Sequence, residues 1–291
     1  MAGIEDQKGM TAMFQSDYSH AHSANQTEGP FDRIHEMDDL SFSFAFQPIV
    51  EGRAGKVVGY EALVRGVAGQ PASSILSSIR PENRERFDQA IRLRAIREAS
   101  RLGIRKPLHL NCTWLSPENL PAAMIGMLNV AATCGISRED LVLELQNLDQ
   151  FGTLEELAAL RRRMSEFRIR VLVDQFGAGR ADLARLAILR PDMVKLDRRL
   201  VSGIHRGRGR QAIVAGIVAM CRSLEIRVVG LGVEDAAELN WLSANNVGLF
   251  QGFYFAEPEV NRMPEARRLS KMSRSGSTIE AAFAGTASAF N

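Results

Sequence analysis

The chain is poor in the residues that most often announce a chemistry. It has three cysteines in 291 residues, Cys112, Cys134 and Cys221, widely separated and without CxxC spacing. That excludes a structural zinc site and a disulfide framework, and leaves the thiols as small residues suited to burial. Five histidines form no H-x-x-x-H or H-x-H pair within a regular element. His20 and His22 fall in a polar leader, and His35, His109 and His205 stand alone. A metal held here would therefore be a hard cation on oxygen ligands. Charge of one sign is missing as well: Lys+Arg is 36 against Asp+Glu 34, a formal net charge of +2. The basic runs at 161–163 and 205–210 carry no interleaved aromatics. The first suits the solvated face of an amphipathic helix and the second a surface loop before a helix. Nucleic acid and anionic membrane surfaces are excluded as partners on that balance. Trp114 and Trp241 are expected to pack rather than to stack on bases. No stretch approaches the ~18 consecutive apolar residues of a membrane span. The N-terminus has no apolar signal core, and Glu5, Asp6 and Asp17 argue against a transit peptide. A cytoplasmic protein is expected.

What is present is an ordinary globular composition, 45% hydrophobic and 24% charged, long enough to bury one large core. Residues 1–40 read as a polar, mobile leader and 265–291 as a loose Ser/Ala/Gly-rich tail. The body between, 41–264, alternates strand and helix signals. Ser43–Val50 and Val57–Val64 flank the turn EGRAGK and predict a hairpin. A helix follows over 83–102, its apolar residues Phe87, Ile91, Ala95, Ala99 and Leu102 spaced by three or four. Short apolar strands are expected at Leu108–Leu110, Leu141–Glu144, Arg170–Val173, Met193–Leu196, Arg227–Leu231 and Phe250–Phe255, with helices before Leu141 and around Leu154–Phe167, Ile213–Leu224 and Leu239–Leu242. Near-continuous apolar strands are those covered on both faces, and this many βα units in about 220 residues favour a (β/α) barrel. No G-x-G-x-x-G follows the first strand, which counts against a dinucleotide-binding sheet.

Ligand-type side chains gather at the strand ends: Glu61, Asn111, Glu144, Asp174, Lys195, Asp197 and Gln251. In a barrel these ends converge on one face, where active sites are built. Three carboxylates and an asparagine amide supply oxygen suited to Mg²⁺ or Mn²⁺. A single acid after a strand is more often a helix N-cap. It is the set, sharing one face, that points to a site.

These residues, in order, resemble the EAL domain, the cyclic di-GMP phosphodiesterase family. The resemblance runs from Phe46-Gln47-Pro48-Ile49 and Gly59-Tyr60-Glu61-Ala62-Leu63-Val64-Arg65 through Asn111, Leu143-Glu144-Leu145 and Val173-Asp174-Gln175-Phe176-Gly177-Ala178-Gly179. It continues through Leu189–Asp197, Gly232-Val233-Glu234 and Gln251-Gly252-Phe253, covering about 41–260. It implies a modified TIM-type barrel with one antiparallel strand, in agreement with the hairpin. By resemblance, Glu61, Asn111, Glu144 and Asp174 match the ligands of a divalent metal. Gln47, Leu63, Arg65, Glu234 and Gln251 match nucleotide-contacting positions, together with Glu61, Asn111 and Asp174. Lys195 and Asp197 match catalytic positions, Lys195 beside the attacking water. Gly177 and Gly179 fall in the family's flexible loop, and a homodimer is implied by the resemblance alone.

The departures bear on mechanism. The family has two adjacent aspartates where this chain has Asp174-Gln175, and a neutral amide is a poor ligand for a hard dication. The family's Ala-Glu-Gly-Val-Glu is Gly230-Leu231-Gly232-Val233-Glu234 here, and leucine can serve neither as base nor as metal ligand. The acid that steadies the flexible loop is replaced by Asn147. A single Mg²⁺ or Mn²⁺ site with the second lost is expected, and hydrolysis is absent or marginal, because losing a general base alone costs ~10²–10⁴ in rate. The expectation is a degenerate EAL domain acting as a non-hydrolysing cyclic di-GMP-binding effector that signals to a protein partner. A protein-interaction adaptor without ligand binding, and a weak phosphodiesterase yielding the linear dinucleotide pGpG, stay open as alternatives.

Overall fold

The alternation of strand and helix signals closes into a barrel. The computed structural model describes residues 42–66, 68–146, 148–177 and 183–267. The expected leader, most of the expected tail, Asn147, Ala178 and Gly179 lie outside them. Strands β1 (Phe42–Glu51) and β2 (Lys56–Gly66) are followed by α1 (Ala72–Ser78), α2 (Arg84–Arg101), β3 (Leu108–Cys112), α3 (Leu120–Thr133) and β4 (Leu141–Leu145). Then come α4 (Leu154–Phe167), β5 (Arg170–Phe176), α5 (Leu183–Leu189), β6 (Met193–Leu196), α6 (Arg198–Val201) and α7 (Arg208–Ser223). The order ends with β7 (Arg227–Leu231), α8 (Ala236–Ala244), β8 (Leu249–Gln251) and β9 (Glu259–Val260). Strands β2 to β8 run parallel in chain order, and β1 lies antiparallel between β2 and β8, so eight strands close on themselves. β9 adds a short antiparallel pairing to β1 at Ala45 and Phe46.

Local chemistry sets the elements. Gly52 and Gly55 take left-handed φ of 65° and 68° in the hairpin turn, a conformation glycine adopts without steric cost. The helix α4 begins with a reciprocal capping box. Thr153 Oγ1 accepts from the Glu156 amide at 3.2 Å, and Glu156 Oε2 accepts from the Thr153 amide at 2.6 Å. Its apolar stripe, Leu157, Leu160, Met164 and Phe167, is the buried one. Three short helices escaped prediction: α1 buries no residue, α5 is seven residues long and buries only Leu186 and Leu189, and α6 is a single turn. Of the thiols, Cys112 and Cys221 are buried as expected, whereas Cys134 is partly exposed because it caps the C-terminus of α3.

The barrel interior is layered by the two-residue period of the strands. Ile49, Val142, Leu172, Met193, Val229 and Leu249 form one apolar layer. Two residues further along the parallel strands, on the same faces, stand Glu144, Asp174, Lys195, Leu231 and Gln251. On β1, which runs the other way, the equivalent step from Ile49 leads back to Gln47. The polar groups therefore form the next layer toward the C-terminal ends, above a dry floor.

The last strand is shorter than expected. It ends at Gln251 instead of reaching Phe255, because the chain turns at Gly252 and lies against the β7–α8 loop. The amides of Gly232 and Val233 both donate to the Gln251 carbonyl, at 2.7 and 3.1 Å, and the Tyr254 amide donates to the Val233 carbonyl at 3.1 Å. A Cβ on residue 252 would run into the backbone of Val233, which has no rotamer with which to yield. Gly252→Ala is expected to destabilise the protein by ~1–3 kcal/mol or more, read as a lower urea midpoint at unchanged slope. An unchanged midpoint would mean that this contact is looser than described.

Candidate functional site

The polar layer is organised around one buried cation. Lys195, on β6 and only 1% exposed, donates from Nζ to Glu61 Oε2 at 2.9 Å and to Glu144 Oε2 at 2.6 Å. Glu61 comes from β2 and Glu144 from β4. Glu61 also accepts from Asn111 Nδ2 at 2.9 Å and from Gln251 Nε2 at 2.8 Å. Gln251 Nε2 lies 3.1 Å from Gln47 Oε1, and Gln47 in turn donates to the Ala256 carbonyl at 3.1 Å. The side-chain oxygen of Gln251 is buried without a partner. Asp174 sits in an irregular stretch of β5, where pairing with β6 slips between Val173 and Phe176. Its Oδ1 accepts from the Gln175 amide at 2.8 Å, and Gln175 itself is exposed with φ of 53°.

Charge and burial oppose each other in this layer. Burial works to raise the Glu61 carboxyl, but the Lys195 charge and the hydrogen bonds from Lys195, Asn111 and Gln251 hold it at about 2. Glu144 is pushed up to about 7 by burial and by the Glu61 charge, with Lys195 pulling the other way. Asp174 is pushed up to about 6, again chiefly by burial. Burial would lower Lys195, but Glu144, Glu61 and Asp174 raise it above its ordinary value, so it stays protonated.

Two contributors had no signal in the sequence. His109 lies one step below Asn111 on β3, its Nδ1 2.8 Å from Glu144 Oε1. Burial and the Lys195 charge drive it down to about 3, so the ring is neutral. Gly59 leaves it room, since a Cβ there would approach Nε2 to 3.1 Å. Gln146, just past β4, donates from Nε2 to Asn111 Oδ1 at 3.1 Å and to Asp174 Oδ2 at 3.3 Å. Only the convergence of three strand ends places these groups together. Behind the layer, Arg92 and Asp88 of α2 form a buried ion pair. Asp88 accepts from the Thr113 amide at 3.2 Å and the Trp114 amide at 3.4 Å, while Arg92 reaches the Asn111 carbonyl at 3.4 Å. Two buried charges on a helix thus fix the end of β3 and with it Asn111.

Other expected site residues lie apart from the buried cluster. Leu63 and Arg65 share the Glu61 face of β2 toward its end, partly buried. Arg65 donates to the neighbouring Val64 carbonyl at 2.9 Å and makes no ion pair among the described residues. Asp197 caps α6: its Oδ1 accepts from the Arg199 amide and from Arg199 Nε, both at 2.8 Å. Glu234 is exposed and paired with Arg198 on the surface. Leu231 puts an apolar side chain in the polar layer's register, opposite Gln251.

The profile of the EAL domain matches residues 35–258. The chain belongs to the EAL domain family. A standalone EAL protein from Vibrio cholerae O395, solved in its cyclic di-GMP-bound form, superposes with a TM-score of 0.72 at 32% identity, covering 78% of this chain and 96% of that one. BlrP1 from Klebsiella pneumoniae, solved as a manganese and cyclic di-GMP complex, superposes at 0.70 with 31% identity, covering 77% of this chain and 57% of that one. The blue light- and temperature-regulated antirepressor BluF of Escherichia coli is 28% identical over 236 residues, 79% of this chain and 59% of BluF. The chain thus spans about three fifths of that curated relative. No helix among the described residues is long and apolar enough to cross a membrane.

BlrP1 has been solved with calcium as well as with manganese, each together with cyclic di-GMP. The four residues that match metal ligands do meet here, but their arrangement does not fit an ion. Each of the six carboxylate oxygens of Glu61, Glu144 and Asp174 faces a protein nitrogen. No group of three His, Cys, Asp or Glu suited to a metal occurs among the described residues.

The balance around Lys195 generates a test. Glu144 and Asp174 titrate above their unfolded values of 4.5 and 3.8, so the stability gained by binding their protons is full at low pH. It is lost as pH rises through about 6 and about 7. Lys195→Met removes the one cation offsetting that loss and should cost ~3–5 kcal/mol at pH 8. The cost should shrink at pH 5, where the carboxyls take up protons. Urea unfolding at both pH values measures it, and a penalty independent of pH would contradict the charge balance described.

Proposed function

We propose that this EAL domain is a cyclic di-GMP-binding effector that does not hydrolyse its ligand. The observation that carries the reading is Arg65. Its half-buried guanidinium has no anionic partner among the described residues, while the acids deeper in the barrel are already satisfied. Burial depresses the guanidinium against the opposing pull of Glu61, yet arginine remains charged at any physiological pH. A planar cation near the C-terminal end of a barrel strand, with no acid paired to it among the described residues, suits a phosphodiester oxygen pair. Gln47, Leu63, Asn111 and Gln251 are the further contacts of this reading, and Mg²⁺ or Mn²⁺ has no obligatory part in it.

The absence of turnover follows from proton bookkeeping. Hydrolysis needs a group to accept a proton from water, or an ion to acidify it. Lys195 is held protonated and cannot accept one. Glu61 is held ionised, but its oxygens are directed at Lys195, Asn111 and Gln251. Glu144 and Asp174, which titrate at about 7 and about 6, turn theirs to His109, Lys195, Gln146 and the Gln175 amide. Leu231 and Gln175 replace the acids the family would use, and Glu234 faces Arg198. A protein partner for the ligand-bound state, homodimerisation and a cytoplasmic setting belong to the same proposal. A second reading, the ligand-free docking adaptor, is favoured by one relative, BluF, being an antirepressor.

Calorimetric titration of cyclic di-GMP into the full chain is expected to give saturable binding with the nucleotide recovered intact. Arg65→Ala should weaken it roughly 10- to 100-fold, the ~1.5–3 kcal/mol of a charge-assisted hydrogen bond. A flat titration with folded protein would favour the adaptor, and accumulation of pGpG would restore the phosphodiesterase.

A further inference from the structure

The family resemblance flags Gln175 and Leu231 as the substitutions that matter, but the geometry points to a third residue. Gln146 stands one position past β4, between the ends of β3 and β5. Its side-chain nitrogen lies 3.1 Å from Asn111 Oδ1 and 3.3 Å from Asp174 Oδ2. Those two oxygens belong to half of the residues that match the family's metal ligands. Lys195 spans the other half, at 2.9 Å from Glu61 and 2.6 Å from Glu144.

We infer that Gln146 closes the cation site of this barrel, its side-chain amide bridging Asn111 and Asp174 so that the pocket works without a divalent metal. An amide N–H is a donor only and cannot ligate a cation. An ion entering between Asn111 and Asp174 would meet that donor's hydrogens. Without an ion the opposite amide orientation would set the Gln146 oxygen against the Asn111 and Asp174 oxygens, acceptor against acceptor, so the donor orientation is the one the metal-free chain favours. In that orientation both halves of the ligand set are occupied from within the chain, and an ion would first have to turn the amide over. Hard dications also dehydrate reluctantly and demand several oxygen ligands at once, so a site offering two oxygens already committed to a donor is a poor one.

This deepens the effector reading by making its ligand pocket metal-independent, and it separates Gln146 from the losses at Gln175 and Leu231. With Gln146 in place, restoring acids at those two positions leaves the bridge between Asn111 and Asp174 intact.

The test uses Mn²⁺ alone, with the full chain and no nucleotide, so that its outcome is independent of whether cyclic di-GMP binds. Titration followed by the electron paramagnetic resonance of free Mn²⁺ is expected to show no saturable site in the unaltered protein at micromolar concentrations. Gln146→Ala should acquire one Mn²⁺ site at least about tenfold tighter than any binding by the unaltered chain, and Asp174→Asn in that background should abolish it. Gln146→Glu, which keeps the side chain's length and replaces the donor with an oxygen, provides a second variant should the alanine form fold poorly. A stoichiometric micromolar site in the unaltered protein that Asp174→Asn removes would overturn the inference. So would folded Gln146→Ala and Gln146→Glu proteins that bind Mn²⁺ no better than the unaltered chain.

Discussion

The buried polar layer of this barrel is arranged about the Lys195 ammonium. Three acids are buried within reach of its field, and an isolated carboxylate in such surroundings would neutralise itself by taking a proton. The lysine prevents that for Glu61 and moderates it for Glu144 and Asp174. The dependence is mutual, since burial alone would depress the lysine and the acids hold it up. The group is therefore a single electrostatic unit assembled from four strands, β2, β4, β5 and β6. Its height in the barrel is fixed by the strand period, which sets an apolar layer one step below it. Shifting any one strand by one residue would exchange a charge for a packing residue and break both layers at once.

A closed electrostatic unit has consequences for chemistry. A catalytic carboxylate has to offer a lone pair to a proton or to an ion, and that requires one that the fold has not already used. Here each carboxylate oxygen faces a nitrogen of the chain: an ammonium, an imidazole, three side-chain amides and one backbone amide. Glu144 and Asp174 titrate near neutral pH, but their oxygens face nitrogens of the chain itself. Arg65 is of the opposite kind. It sits further along the Glu61 face of β2, and among the described residues its guanidinium donates to the carbonyl beside it. On the proposed reading a binding surface and a satisfied core share one strand, two residues per step, without the ligand's charge entering the buried network.

The frame of this architecture was legible in the sequence because periodicity carries it. The hairpin, the long α2 and α4 stripes and the parallel apolar strands each have a local signature, and the strand-end residues Glu61, Asn111, Glu144, Asp174 and Lys195 could be placed on one face by counting. What escaped was whatever depends on packing against a distant backbone. β8 stops at Gln251 because Gly252 must pass close to Val233, some twenty residues away. His109 looks like an isolated histidine in a run of leucines, and Gln146 like a loop amide. Neither has a spacing that betrays its partners, which come from neighbouring strands. Asp88 and Arg92 are four apart on α2 and would suit an exposed helix pair, yet they are buried because the β3–α3 loop needs acceptors for the Thr113 and Trp114 amides. Asp197 went the other way, and its carboxylate is taken up by capping α6.

The same contrast shows how a motif can be held in place independently of any reaction. Glu61, Asn111, Glu144, Asp174 and Lys195 each make contacts here that hold strands together, so each has a structural role independent of any reaction. A residue bound into such a network is costly to replace, since removing one partner strands the others as buried unpaired charges. Gln175 is in a different position: its side chain is exposed, and what β5 uses is its backbone amide and its left-handed conformation. Glu234, on the rim, is likewise held only by a surface pair with Arg198. Side chains of this second kind can change with little consequence for the barrel. Identity at the buried positions therefore speaks first for the fold of an EAL domain, and the chemistry has to be read from whether any of those groups is left with a lone pair to offer.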